Sequence, residues 1–362
     1  MSGRARTLAP LAGFALLTAA VMLLPAWISD FRAQEFAYVG MYTVALIGLN
    51  MLTGYTGQIS LGHGAFMAIG GYTTALLMAG NDQFGQTGIF GIGGGMKDIW
   101  TIPIAGLVAG LVGFLFGFPA LRLSGLYLAL ATFAIAVSMP AVIKNFEQFT
   151  GGGSGVNLFG LPELTASISP VERAGVELNF NNYLYYLSWS TALMLYVAAW
   201  LFLRGRTGRA LRAVRDSETA AVSSGVSLAR YKTLAFGVSA AYAGVAGSLF
   251  AIATTFVNPD VFPIALSIIL LVGVVVGGLG SLLGPIVGAA FIQYMPIVSP
   301  DADALIPDRL PLLGGVDTGD PGAPAVVYGV TVILLMFVLP TGAAGLLHRL
   351  GAVVRRGYAR VR

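Results

Sequence analysis

The chain is a succession of long apolar runs separated by short polar stretches. The runs fall at Leu8–Ile28, Tyr38–Thr53, Ile59–Ala79, Ile102–Ala120, Leu123–Ile143 and Leu184–Leu203, then at Thr233–Thr255, Ile264–Gly278, Leu282–Ile297 and Ala325–Leu347. A helix that crosses a bilayer needs about 20 apolar residues. The pattern therefore predicts an all-α, polytopic transmembrane bundle of about 10 spans, within a range of about 8–10. Residues 1–362 read as a single membrane domain. The Ile264–Gly278 and Leu282–Ile297 runs are short and joined through Gly277 and Gly280, so they fit either two crossings or a re-entrant hairpin. Leu8–Ile28 follows Arg4 and Arg6 in the manner of a signal peptide. It lacks a small-x-small cleavage site and reads as a retained first span.

Basic residues give the expected orientation. Arg4 and Arg6 precede the first run, seven Arg and Lys residues crowd a polar loop at 204–232, and five Arg residues lie in the tail at 348–362. Even numbers of spans separate these clusters, so all three fall on one side, expected to be the cytoplasm, with both termini. The acidic stretches Asp30–Glu35, Glu163–Glu177 and Asp301–Asp320 then fall outside, the last within a periplasmic loop at 299–324.

Composition agrees with the pattern. The 362 residues are 56% hydrophobic and 10% charged, with a mean hydropathy of +0.81. A soluble domain carries about 25% charge. The 49 glycines suit close helix approach in a bilayer. There is no cysteine and there are two histidines, which excludes disulfides and thiolate metal sites and leaves little for a metal centre. The placement of the +4 net charge speaks against nucleic acid as a partner. No paired acids or nucleophile–base set stands at either face, so no catalytic residue is nominated.

Every acidic and basic residue falls at a predicted span end or in a loop, with Arg122, Lys144 and Glu147 nearest to burial. A carrier coupled to an ion gradient usually holds an ionisable residue at depth, and His63 is the sole candidate. No Gly-Lys pair exists for a phosphate-cradling loop. An active transporter built on this chain would take its ATPase from another polypeptide and bind no cofactor of its own.

Five segments in or between the runs stand out. Thr53-Gly-Tyr-Thr-Gly-Gln58 is too short for an ordinary loop, and Gly54 and Gly57 permit unusual backbone. Irregular backbone at membrane depth must lie in protein or against a wet cavity. That places Asn50, Gln58, Ser60 and His63 near a translocation path, or else as helix caps and links between spans. Gly277–Gly284 is a candidate matching break. The 204–232 loop predicts a short surface helix whose apolar side is Ala210, Leu211, Ala213, Val214, Ala221 and Val222. It is either a topology anchor or a lever on the two flanking spans. Asn258-Pro-Asp260 reads as a helix stop, and Gly151–Gly155 as a flexible periplasmic loop.

Four blocks carry a family resemblance. Thr219-Ala-Ala-x-x-x-Gly225 resembles the Glu-Ala-Ala-x-x-x-Gly coupling signature of ABC importer permeases, with Thr219 in the Glu place and Glu218 one residue early. It precedes Lys232-Thr-Leu-Ala-Phe-Gly. Gly48-Leu-Asn-Met-Leu-Thr-Gly-Tyr-Thr-Gly-Gln-Ile-Ser-Leu-Gly-His63 resembles the matching signature of branched-chain amino acid ABC permeases of the LivM/LivH type. Leu123-Ser-Gly-Leu-Tyr, followed by Thr150-Gly-Gly-Gly-Ser-Gly, and Gly277-Gly-Leu-Gly-Ser-Leu-Leu-Gly-Pro continue the likeness. The segments Ile89–Asp98 and Pro300–Pro324 depart from it.

The resemblance implies a bacterial inner-membrane importer. This chain would pair with a LivH-like permease or with itself, with two cytoplasmic ABC ATPases that bind the ATP, and with a periplasmic solute-binding protein. The implied solute is a branched-chain or other hydrophobic amino acid. Urea or short-chain amide importers, and a stand-alone secondary carrier, are the alternatives. Arg215, Glu218, Thr219, Ala220, Ala221 and Gly225 are the implied contact with the ATPase.

Overall fold

A computed structural model describes residues 18, 21–79, 96–123, 125–158, 179–298, 323–338 and 342–346. The run at Leu8–Ile28, the loop at 299–324 and the tail at 348–362 lie wholly or largely outside these residues. The helices are α1 (Asp30–Thr56), α2 (His63–Met78), α3 (Asp98–Ala120), α4 (Leu126–Asn145), α5 (Phe180–Arg204), α6 (Arg206–Asp216), α7 (Glu218–Ser223), α8 (Leu228–Thr254), α9 (Ile264–Gly277), α10 (Gly284–Val298) and α11 (Ala323–Val338). Among the described residues, seven helical stretches are long and apolar enough to cross a membrane. They comprise α1, α3, α4, α5, α8, Pro259–Gly277 with α9, and Gly329–Leu346. α2 and α10, with 16 and 15 residues, are shorter than the runs that predict them.

α1 and α8 are the centre of the bundle. Their most apolar windows are 78% and 83% buried, against at most 44% for the other spans. An apolar side chain gains little by leaving lipid for protein, so close contact between backbones must supply the association. Glycine supplies it here. A Cβ on Gly48 of α1 would meet Ser239 O of α8 at 2.8 Å. A Cβ on Gly70 of α2 would overlap the backbone of Gly244, and one on Gly247 of α8 would overlap the Met67 carbonyl. Gly106, Gly113 and Gly117 of α3 face Val245, Ala240 and Thr233 of α8 in the same manner. α8 therefore takes α1, α2 and α3 against its surface at backbone distance. Thr74 Oγ1 and Ser248 Oγ share a hydrogen bond of 2.6 Å across the α2–α8 seam.

The two short helices α9 and α10 form an antiparallel hairpin. Gly277 lies on the Gly284 carbonyl and Gly288 on the Gly273 carbonyl. At the other end of the bundle, Val156–Asn157 pairs antiparallel with Phe256–Val257. This ribbon fastens Gly151–Gly155 to the segment after α8, and Gly152–Ser154 forms a 3-10 turn. The glycine run is thus a pinned turn, not the loose loop its composition suggests. α8 has already ended at Thr254, and the Asn258 side chain accepts from Val261 N at 3.0 Å to cap the next turn. So Asn258-Pro-Asp260 starts an element and does not stop α8.

Two charges are more buried than the hydropathy pattern implies. Asp98 is 1% exposed and Lys232 6%, whereas Arg122, Lys144 and Glu147 are exposed. Asp98 opens α3, where the helix N-terminus favours an anion. It accepts from Ile99 N at 2.8 Å and from the Tyr183 hydroxyl at 2.5 Å. Its position at a span end is visible in the sequence, and the partner that lets it be buried is not.

Replacing Gly247 with Val should destabilise the bundle by about 1–3 kcal/mol through overpacking of the α2–α8 seam. Gly153→Ala, with open space around its Cβ, should lie within about 0.5 kcal/mol of the wild type. Denaturation in detergent micelles compares the two directly.

Candidate functional site

α1 ends at Thr56, and Gly57 takes a left-handed conformation with φ 73°. The chain then runs without helix to His63, where α2 begins. His63 bonds Ser239, which lies about three turns into α8, roughly 16 Å along its axis. The irregular segment 57–62 therefore occupies the depth of the bundle between its α6–α7 end and its middle. Buried amides need partners there. Thr132 Oγ1 of α4 accepts from Leu61 N at 2.9 Å, and Ser267 Oγ of α9 accepts from Gly64 N at 2.9 Å.

Ser239 Oγ donates its single proton to the Gly48 carbonyl at 2.6 Å. Toward His63 Nε2, at 2.8 Å, it can then only accept. His63 consequently carries a proton on Nε2 and donates it to Ser239. Its Nδ1 faces Ser60 Oγ at 3.4 Å. His63 and Ser60 thus lock the start of α2 to α1 and α8. Gln58 is buried on this same segment, and its Nε2 has no hydrogen-bond partner among the described residues.

Asn50 lies one turn before Gly54 on the buried length of α1. Its Oδ1 accepts from Gly280 N at 2.9 Å and its Nδ2 donates to Ser281 O at 2.7 Å. One carboxamide thus satisfies both backbone directions of the hairpin tip. A Cβ on Gly54 would overlap Asn50 Oδ1 and Gly280 N. Gly280 itself has φ 75°. The two glycine breaks therefore touch, main chain to main chain, at the α6–α7 end of the bundle.

The 204–232 loop folds as two helices, not one. Ser217 has extended backbone, and its Oγ accepts from Ala220 N at 3.3 Å, so it separates α6 from α7 as an N-cap. Ala210, Leu211 and Val214 of α6 and Ala221 of α7 are buried as expected. Val222 is 54% exposed, because the change of axis at Ser217 turns it away from the apolar side. α7 closes in a Schellman motif: Gly225 N donates to Val222 O, and Val226 N to Ala221 O, both at 2.9 Å. Gly225 has φ 81°, which only glycine adopts without cost. Glu218 Oε1 pairs with Lys232 Nζ at 2.7 Å and ties α7 to the first turn of α8. Thr219 and Ala220 lie exposed at the surface.

Arg215, near the end of α6, reaches back into the bundle. Its Nη1 donates to the Gly54 carbonyl at 3.0 Å. That carbonyl is available because Gln58 N turns back to Leu52 O. Terminal helix carbonyls are open to such capping by cations. Arg215, Asn50, Gly54, Gly57 and Gly280 are thus brought together. Gln58, Ser60 and His63 line the adjoining segment, Gly277 braces the hairpin, and Glu218, Thr219 and Ala220 form a separate surface on α7, with Ala221 buried beneath it and Gly225 just past its end. Ser239, Thr132, Ser267, Ser281 and Lys232 were not foreseen. Each is a lone polar group in or beside an apolar run, with no spacing that marks it.

These features define a polytopic helical membrane protein in which a short surface helix pair is wired to two broken segments. Comparison with known proteins supplies the family. The model for the permease component of the branched-chain amino acid transport system matches residues 32–339. The chain belongs to that family. It is 37% identical over 291 residues to the high-affinity branched-chain amino acid transport system permease protein LivM of Escherichia coli K12, covering 75% of this chain and 65% of LivM. Salmonella typhimurium LivM is 37% identical over 267 residues, covering 70% of this chain and 60% of LivM. Escherichia coli K12 LivH is 27% identical over 314 residues, covering 84% of this chain and 91% of LivH. The match spans under two thirds of the length of the LivM relatives. No solved structure matches.

Gly225→Ala should raise hydrogen exchange at the Ser224–Val226 amides about fivefold, since a left-handed alanine costs roughly 1 kcal/mol with open space around its Cβ. Gly225→Asn, which tolerates that conformation, should restore most of the protection.

Proposed function

We propose that this chain is a transmembrane subunit of an ATP-binding cassette importer that carries branched-chain or other hydrophobic amino acids across the bacterial inner membrane. It is a permease and not an enzyme: ATP is bound and hydrolysed by two partner chains on the cytoplasmic side. A second permease of the LivH kind, or a second copy of this chain, completes the pore, and a periplasmic protein delivers the solute. The basic α6–α7 end faces the cytoplasm, with both termini, and the β-ribbon end faces the periplasm.

The observation that carries this reading is the α7 surface. Thr219, Ala220, Val222 and Ser223 stand exposed on a helix that is ion-paired to α8 and joined to α6 through Ser217. A partner gripping that face would move α8, α6 and the segments they touch together. Asn50, Gln58, Ser60 and His63 lie along the route from that end to the middle of the bundle, and we assign them to the translocation path. Those carrying hydrogen bonds in this conformation would exchange partners as the path opens. The mostly apolar interior suits an apolar solute.

Coexpression with a LivH-like subunit, the two ATPases and the binding protein, followed by reconstitution in liposomes, tests the reading. Leucine uptake should require ATP, the binding protein and this chain together. Uptake by this chain without any ATPase would overturn it. An excess of urea or a short-chain amide that abolishes leucine uptake would move the solute class.

Ala221→Glu, which forces a charge into the buried contact of α7, should lower uptake at least tenfold while ATP hydrolysis continues. Uptake at the wild-type level would reduce α7 to a topology anchor.

A further inference from the structure

α6 touches the bundle in two chemically different ways. Leu211 and Val214 bury apolar surface, which tolerates small slides. Arg215 makes a directional, charge-assisted bond to the Gly54 carbonyl, and that tolerates little. The bond falls where α1 meets the tip of the α9–α10 hairpin. No side chain separates these elements: Gly54 and Gly280 are in main-chain contact, and Asn50 clamps the hairpin amide and carbonyl one turn away. A Cβ on Gly280 would stand 3.4 Å from Arg215 Nη1. A displacement of α6 is therefore felt at both glycine breaks at once.

The guanidinium is also built to let go. Its Nε and Nη2 donate to Asp216 Oδ1 at 3.2 and 3.1 Å, and its side chain is 41% exposed. If the Gly54 bond breaks, Arg215 keeps a carboxylate partner and water, so no buried charge is stranded. A purely structural tie at a helix end gains nothing from such a second partner, whereas a bond that forms and breaks each cycle does. Thr53 and Gln58 flank the joint with buried polar atoms, Oγ1 and Nε2, that have no partner among the described residues, so a shift of the joint breaks no hydrogen bond of theirs.

We propose that Arg215 is a positioning residue whose bond to the Gly54 carbonyl holds the α6–α7 end of the pathway closed, and that movement of α6–α7 opens that end by breaking it. The proposal rests on the importer reading, but its central readout does not need transport. Because the chain has no cysteine, Thr53→Cys gives a single thiol next to the joint. Thr53 Oγ1 makes no hydrogen bond that the exchange would remove.

The assembled complex in nanodiscs without nucleotide would be labelled with a membrane-impermeant maleimide. Adding Arg215→Ala to Thr53→Cys should raise the labelling rate at least fivefold. In the cysteine-free background, Arg215→Ala should lower leucine uptake per ATP hydrolysed at least tenfold with the KM for the loaded binding protein unchanged. Arg215→Lys, which keeps the charge and loses the fork held by Asp216, should fall between. It carries both measurements if the alanine variant does not assemble. Unchanged labelling and unchanged coupling would overturn the proposal. Faster labelling on adding Arg215→Ala, in a complex whose wild-type form does not import leucine, would uphold the closure and sink the importer reading instead.

Discussion

Backbone amides inside a bilayer have no water to turn to, and that constraint organises this molecule. A helix that starts in the middle of a bundle exposes amides where hydrocarbon would leave them bare. α2 does so, and the structure answers with small polar side chains from other spans and from the segment itself. Thr132 meets Leu61, Ser267 meets Gly64, and Ser60 lies 3.4 Å from Gly62 N. His63 and Ser239 then bind that start to the Gly48 carbonyl. The second break is satisfied by one residue, Asn50. Without these partners the irregular segments could not lie at depth. Without the segments the surface helices would have nothing but packed spans to act on.

Close approach is the complementary requirement. Hydrogen bonds of 2.6–2.9 Å between helices demand that the axes come near, and the glycines on α2, α3 and α8 allow it. The same logic operates at Gly54 and Gly280, with a different outcome. Along the α8 seams glycine makes a broad, rigid contact. At the tip of the hairpin it makes a contact of a few atoms, flanked by an arginine from a surface helix. The first kind of contact resists motion and the second concentrates it.

Much of this was legible in the sequence. The apolar runs announced the helices, Gly54 and Gly57 announced the break after α1, and Gly277–Gly284 announced a second break between two short runs. The basic loop announced a surface element. What stayed hidden shares one property: it depends on what a residue meets and not on what it is. Asp98 and Lys232 looked like ordinary span-end charges until Tyr183 and Glu218 were seen beside them. Ser217 in a helical run gave no sign that it would split α6 from α7, because serine is acceptable both inside a helix and at its cap. Gly151–Gly155 has the composition of a loose linker, and only its pairing partners 100 residues away show that it is pinned. The resemblance singled out Arg215 only as a contact for the ATPase, and its inward bond to the Gly54 carbonyl is not marked in the sequence. The difference between Arg215 and Arg206 or Arg209 is purely geometric.

The placement of α8 bears on how the protein is made. The partners of α2 and of the break before it come from a helix much later in the chain: His63 and Ser239 are 176 residues apart, and Thr74 and Ser248 are 174 apart. At ordinary synthesis rates that gap lasts roughly 9–35 s. By its end α1 to α5 have all been made, with a glycine-lined groove, a bare histidine and a half-built turn where α8 will go. The nascent protein is therefore a cleft waiting for its own central helix. Its yield in a cell should depend on what shelters that cleft during the interval: a lipid, the insertion machinery or a chaperone.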